Sequence, residues 1–156
     1  MEDQCGFILN HRVMKNEQDK DVAFKMVNKS KKLFQCLRSV SFDKGFHSKS
    51  DNEGKNNLIN IEEQLSIRAY LPKKGKRNKI EQERESSKEF IKARKQHPAV
   101  ESAINALETH GLDRCPDKGE IHYRRYVAMA ITSSNLHKLG SILIGKELGL
   151  ITKRSA

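Results

Sequence analysis

Apolar residues fall in short clusters whose spacing changes along the chain, and the changes mark out elements. Gly6 to Met14 reads GFILNHRVM, an apolar run whose length and flanks predict a strand rather than a helix. Asp19 or Asp21 is placed to cap a helix running to about Cys36, with Val22, Ala23, Met26, Val27, Leu33 and Phe34 at helical spacing and lysines opposite. Ser39 to Asp43 is a short strand with Val40 and Phe42 on one face. Strand, helix and strand at this spacing predict a parallel crossover. The chain breaks at Gly45, turns polar, and regains an amphipathic helical turn or two at Leu58 to Leu65. Ile67 to Leu71 is a further strand, ended by Pro72.

The second half is helical in pattern. Lys73 to Lys79, KKGKRNK, has no apolar residue and is predicted to be a solvated loop. Glu81 to Gln96 is charged all round, with Phe90, Ile91 and Ala93 to bury. Pro98 suits the first turn of a helix from Ala99 to Glu108, with Val100, Ala103, Ile104 and Leu107 as one stripe and Gly111 as its end. The longest helix runs from about Tyr123 to Leu148, where Val127, Ala130, Ile131, Leu139, Ile142 and Leu143 form the largest apolar surface. No internal repeat is present. The pattern is that of a single α/β domain over 1–148 with a basic insertion at about 73–95 and a tail at 149–156.

Composition sharpens this picture. In 156 residues, 36% hydrophobic and 32% charged, the basic excess is +10. A pI near 9.6 points to a polyanionic partner, because lysines that meet phosphates release counterions. A solvated lysine face accounts for the same charge without a partner. No apolar run reaches the ~18–20 residues that span a bilayer, so no membrane is expected. The start, MEDQCGFILN, lacks the basic-then-apolar order of a secretory signal. Cys5, Cys36 and Cys115 are odd in number and widely spaced, which excludes a disulfide framework and suggests a reducing compartment.

Four groups of residues could carry chemistry. Asp43 ends a predicted parallel strand, where ligands of open α/β sheets gather; it could equally cap the next turn. Glu101 lies about 100° off its helix's apolar stripe, where it could face a cleft or simply benefit from the helix dipole. Two carboxylates on rigid elements are what Mg²⁺ requires among its oxygen ligands. His97, His110, Cys115 and His122 have no zinc spacing. Lys73 to Lys79, with Arg84, Lys92, Arg94, Lys95, Arg124 and Arg125, forms the basic surface, and the scarcity of interleaved aromatics disfavours stacking of single-stranded bases.

SVSFDKGFHS, LPKKGK, ARKQHPAVESAINALETHGLDRC and RRYVAMAITSSNLHKLG resemble the C-terminal part of bacterial insertion-sequence transposases of the DDE type, within the RNase H-like, retroviral-integrase superfamily. The resemblance runs over nearly the whole chain. It implies an incomplete RNase H-like core, a short mixed sheet with crossover helices, ending in a long helix. It also implies two-metal cutting and joining of DNA with Mg²⁺ or Mn²⁺. Asp43 matches the family's second acidic residue and Glu101 the third, so both are expected to be catalytic and metal-ligating. Arg94 and His97 match positions facing the scissile phosphate, while Lys73, Lys74, Lys76 and Arg77 are expected on the DNA backbone.

The family's first aspartate belongs to a strand upstream of GFILNHRVM, and Met1 stands just before that segment. Glu2 and Asp3 lie very close to the Phe7 strand for that role. The expectation is a truncated transposase with weak or absent metal binding, little activity alone and an exposed sheet edge. Transposon-end DNA, a homo-oligomer or the missing N-terminal portion are the implied partners, in a nucleoid-associated, cytoplasmic setting. The alternatives are a non-catalytic basic DNA-binding protein and, more distantly, a binder of structured RNA.

Overall fold

The computed structural model describes residues 5–49, 56–96 and 98–149. The chain is mixed α/β and mostly helical, and it divides into two compact units, Arg12–Ala99 and Met1–His11 with Val100–Ala156.

In the Arg12–Ala99 unit, α1 (Asp19–Leu33) begins with Asp19 and Asp21 at its positive end and finishes with Lys31 and Lys32 at its negative end, the order that favours the helix dipole. Lys31 Nζ donates to the carbonyls of Gln35 and Leu37, which fixes the turn into β1 (Ser39–Ser41). A 3₁₀ turn, Lys44–Phe46, follows. Next come α2 (Asn57–Leu65) and β2 (Arg68–Tyr70). Ser66, between them, adopts φ 51°, the left-handed turn that ends α2. The two strands are parallel, with Ser39 opposite Arg68, Val40 opposite Ala69 and Ser41 opposite Tyr70. Period-2 alternation therefore sends Val40 and Ala69 inward together. They join Val22, Ala23 and Val27 of α1, Ile61 of α2, and Ile67, Leu71, Phe42 and Phe90 in the core.

Two helices then cover the strands. α3 (Lys79–Ser86) opens with a full capping box between Asn78 and Glu81. α4 (Lys88–Gln96) places Phe90 edge-on to Tyr70, with centroids 5.9 Å apart. The Ala69 N–H donates to Glu62 Oε1 of α2 at 3.1 Å, and the Ala69 carbonyl accepts from Arg84 of α3. Arg68 N–H and the Tyr70 carbonyl bond instead towards the β1 side, to Arg38 and Phe42. Two side chains thus occupy the outward hydrogen-bonding positions of β2 where another strand would otherwise pair.

In the second unit, α5 (Pro98–Leu107) leads through a kinked turn, Glu108–Leu112, to α6 (Glu120–Glu147). Gly111 takes φ 102° in that turn, a region glycine enters without steric cost, and its carbonyl accepts from Tyr126 Oη at 2.7 Å.

Several expectations need correction. GFILNHRVM is not a strand: Ile8 makes an isolated bridge only, within otherwise irregular chain. The Asn135 carboxamide accepts from Ile8 N–H at 2.9 Å and donates to the Ile8 carbonyl at 3.0 Å. One amide side chain therefore takes both bonds at the point where a ladder would begin. Among the described residues the sheet is a parallel pair rather than a mixed sheet. The segment Glu81 to Gln96 is two helices, because extended Ser87 (ψ 144°) interrupts it and then accepts from Phe90 N–H through its hydroxyl. The long final helix buries Ile131 and Gly145, while Met129, Leu136, Leu139, Leu143 and Ile144 are exposed. None of the helices among the described residues is long and apolar enough to cross a membrane.

Candidate nucleic-acid interface

The basic segment after β2 is not a free loop. Lys73 N–H donates to Glu85, and Lys73 Nζ pairs with Glu81 at 2.5 Å. Arg77 Nε pairs with Glu85 at 2.9 Å. The hydrogen bonds from Lys73 and the Asn78 N–H hold the Glu81 carboxyl below the ordinary glutamate range. The acidic face of α3 therefore neutralises part of the basic run and fixes its path. Lys74 and Lys76 stay exposed beside it, on either side of Gly75 (φ 96°).

Fixing this segment builds one wall of an open cleft of 1080 Å³ within the Arg12–Ala99 unit. Lys73 and Lys74 line it together with Glu17, Asp19 and Lys20 at the start of α1. Gly45, His47, Ser48, Lys49 and Asn56 complete it. Asn57 braces the segments that line it: its Nδ2 donates to the carbonyls of Lys20 at 2.6 Å and Phe46 at 3.0 Å, and its N–H donates to Ser48 Oγ at 2.8 Å. A buried amide, 8% exposed, thus ties α1, the 3₁₀ turn and α2 together. At Gly45 an added Cβ would come within 3.1 Å of Asp19 Oδ2, so a larger residue there would press on that carboxylate.

Four lysines face two carboxylates in this cleft, and Glu17 is already held by Arg12. The balance is positive. Among the described residues Lys20, Lys49 and Lys74 make no ion pair, so their charges are available to an anion. His47 is half-buried there, and burial and Lys73 push its imidazole below the usual histidine range.

The acidic candidates are disposed differently. Asp43 is exposed just past the carboxyl end of β1, as the sequence predicted. Arg94 of α4 donates to the Phe42 carbonyl at 2.7 Å and lies 3.9 Å from the Asp43 carboxylate. The two come together from residues far apart in sequence, and Arg94 acts there as a clip between α4 and the end of β1. Glu101 is exposed on α5 and belongs to the other unit. His97, Glu2 and Asp3 lie outside the described residues. One carboxylate beside an arginine is a single oxygen donor where Mg²⁺ takes several. Among the described residues no group of three or more His, Cys, Asp or Glu side chains is gathered around a cation-sized space. Among the described residues the fit to a two-metal centre is incomplete.

Sequence reasoning missed Lys20, Lys49, His47 and Asn57. Lys20 lies far in sequence from His47 and Lys49, and Asn57 ties their two segments together through the Lys20 and Phe46 carbonyls. The signal available for Asn57 was Asn56-Asn57 at the start of an amphipathic helix, a capping pattern that does not reveal a long-range bond.

Comparison of the chain with protein-family models, with curated proteins and with solved structures gives no match.

Proposed function

We propose that the chain binds the phosphate backbone of duplex DNA through the lysine-lined cleft. The observation that carries this reading is the convergence of Lys20, Lys49, Lys73 and Lys74 from three separate segments onto one clamped concavity. Backbone contacts of this kind position a protein on DNA without reading its sequence. Lys20, Lys49 and Lys74 on phosphates would contribute roughly 2.7 to the slope of log affinity against log salt. Fluorescence anisotropy with a 20-base-pair duplex over a salt series tests it. Lys49→Gln and Lys74→Gln should each lower the slope by roughly 1; a slope unchanged in both variants refutes the cleft.

A second reading is favoured by the exposed position of Asp43 at the carboxyl end of a parallel strand. On it, the chain is part of a DDE-type transposase in which Asp43 and Glu101 hold Mg²⁺ or Mn²⁺ and DNA strands are cut and joined. Mg²⁺ or Mn²⁺ would then raise the melting temperature, and Asp43→Ala or Glu101→Ala would abolish the rise. A melting curve indifferent to both cations sinks this reading and leaves DNA binding standing.

A further inference from the structure

His47 is the group in the cleft whose charge can change near neutral pH. Its backbone N–H is bound to the Lys44 carbonyl at 3.1 Å, so the residue sits in a fixed turn. It shares the concavity with Lys20, Asp19 and Glu17 from the start of α1, with Lys49 from its own segment, and with Lys73 and Lys74. Glu81 and Glu85 of α3 act on it from behind Lys73. Glu81 is hydrogen-bonded to Lys73 and Asn78, and Glu85 to Lys73 and Arg77, so both carboxylates are largely committed elsewhere. Partial burial and the charge of Lys73 oppose a positive charge on the His47 ring.

A phosphate diester reverses that balance. An anion in the cleft that Lys20, Lys49, Lys73 and Lys74 line would offset the Lys73 repulsion of an imidazolium and accept a hydrogen bond from it. We propose that His47 takes up a proton when DNA backbone phosphate enters the cleft, so that DNA binding is coupled to proton uptake. This deepens the DNA-backbone reading given above and rests on it. The step balances simply: neutral imidazole plus one solvent proton gives imidazolium, with no bond to phosphorus made or broken. The coupling is reciprocal, since a ligand that raises proton affinity binds more tightly when protons are abundant.

The magnitude follows from one opposite charge at contact distance, which shifts a titration by about 1 unit or more. DNA should therefore bind roughly threefold to tenfold more tightly at pH 5.5 than at pH 7.5, with a salt slope larger by up to about 0.9. The test is anisotropy of the full chain with a 20-base-pair duplex at both pH values and several salt concentrations. His47→Gln should abolish most of the pH effect, and His47→Arg should retain the tight, steep behaviour at pH 7.5. Imidazole resonances of the unmodified protein, followed by NMR, should show the His47 midpoint rising when DNA is added. Salt-dependent binding with no pH effect, or a pH effect that survives in His47→Gln with an unmoved midpoint, overturns the coupling alone. Absence of DNA binding at either pH overturns the DNA-backbone reading and the coupling with it.

Discussion

Replacing Arg94 by alanine separates the phosphate contact expected from the sequence from the clip seen in the structure. If Arg94 is a clip, its loss is a stability effect; if it is a phosphate contact, its loss is an affinity effect. The clip consists of one charge-assisted hydrogen bond, Nη1 to the Phe42 carbonyl at 2.7 Å, and a long pair with Asp43 at 3.9 Å. Hydrogen bonds from charged groups contribute about 1.5–3 kcal/mol. The Asp43 side chain is 58% exposed, and such surface pairs contribute about 0–1 kcal/mol. Arg94→Ala should therefore cost about 2 kcal/mol, most of it from the carbonyl bond. For a unit the size of Arg12–Ala99, each kcal/mol lowers the melting temperature by roughly 4–8 °C, so the expected drop is roughly 8–16 °C. Asp43→Asn keeps the carbonyl bond and should cost less than about 1 kcal/mol. Urea denaturation of both variants and the double mutant gives these values and their coupling. An Arg94→Ala protein as stable as the parent but several-fold weaker for DNA would refute the clip.

Asn57→Leu leaves the Lys20 and Phe46 carbonyls without their donor, which should cost about 2 kcal/mol in urea denaturation and also reduce the salt slope of DNA binding as the segments carrying Lys20 and Lys49 come apart. Asn135→Ala removes both bonds to Ile8; hydrogen exchange at the Ile8 amide should speed up markedly while amides in α1 keep their protection. Glu81 titrates below the ordinary glutamate range in the folded protein, so its contribution is complete above that range and is lost as pH falls through the lowered value. Because glutamine can replace glutamate in a capping box, a comparison of the parent with Glu81→Gln isolates the Lys73 pair. Their difference in denaturation midpoint should be present at pH 7 and vanish at strongly acidic pH.

Both strands and most of the helices were legible from their own periodicity, whereas the break at Ser87 between α3 and α4 was not. Val40 with Phe42 and Ile67 with Ala69 and Leu71 alternate as strands do, and Pro98 and Gly111 mark helix ends through their own backbone chemistry. What was not legible depends on partners remote in sequence. Ile8 sits in a segment apolar enough for a strand, yet strand formation needs a neighbouring ladder, and Asn135 stands there with a side chain instead. The α6 pattern predicts a large apolar surface but does not say how much of it is covered. The candidate site divides in the same way. Asp43 was found at the end of its strand, whereas Arg94 was expected on DNA, although the Phe42 carbonyl is its hydrogen-bond partner. Lys73 and Arg77 read as free charges, since nothing in a basic run reveals that Glu81 and Glu85 will turn back onto it.

The bonds of Ala69 to Glu62 and Arg84 make the two-stranded sheet directional as a template. An incoming extended peptide on the β2 flank would first have to evict a carboxylate and a guanidinium, the latter also lying over the Phe90 ring. Recruitment on that side therefore carries an ionic barrier, and Glu62→Ala or Arg84→Ala would turn a closed flank into a sticky one.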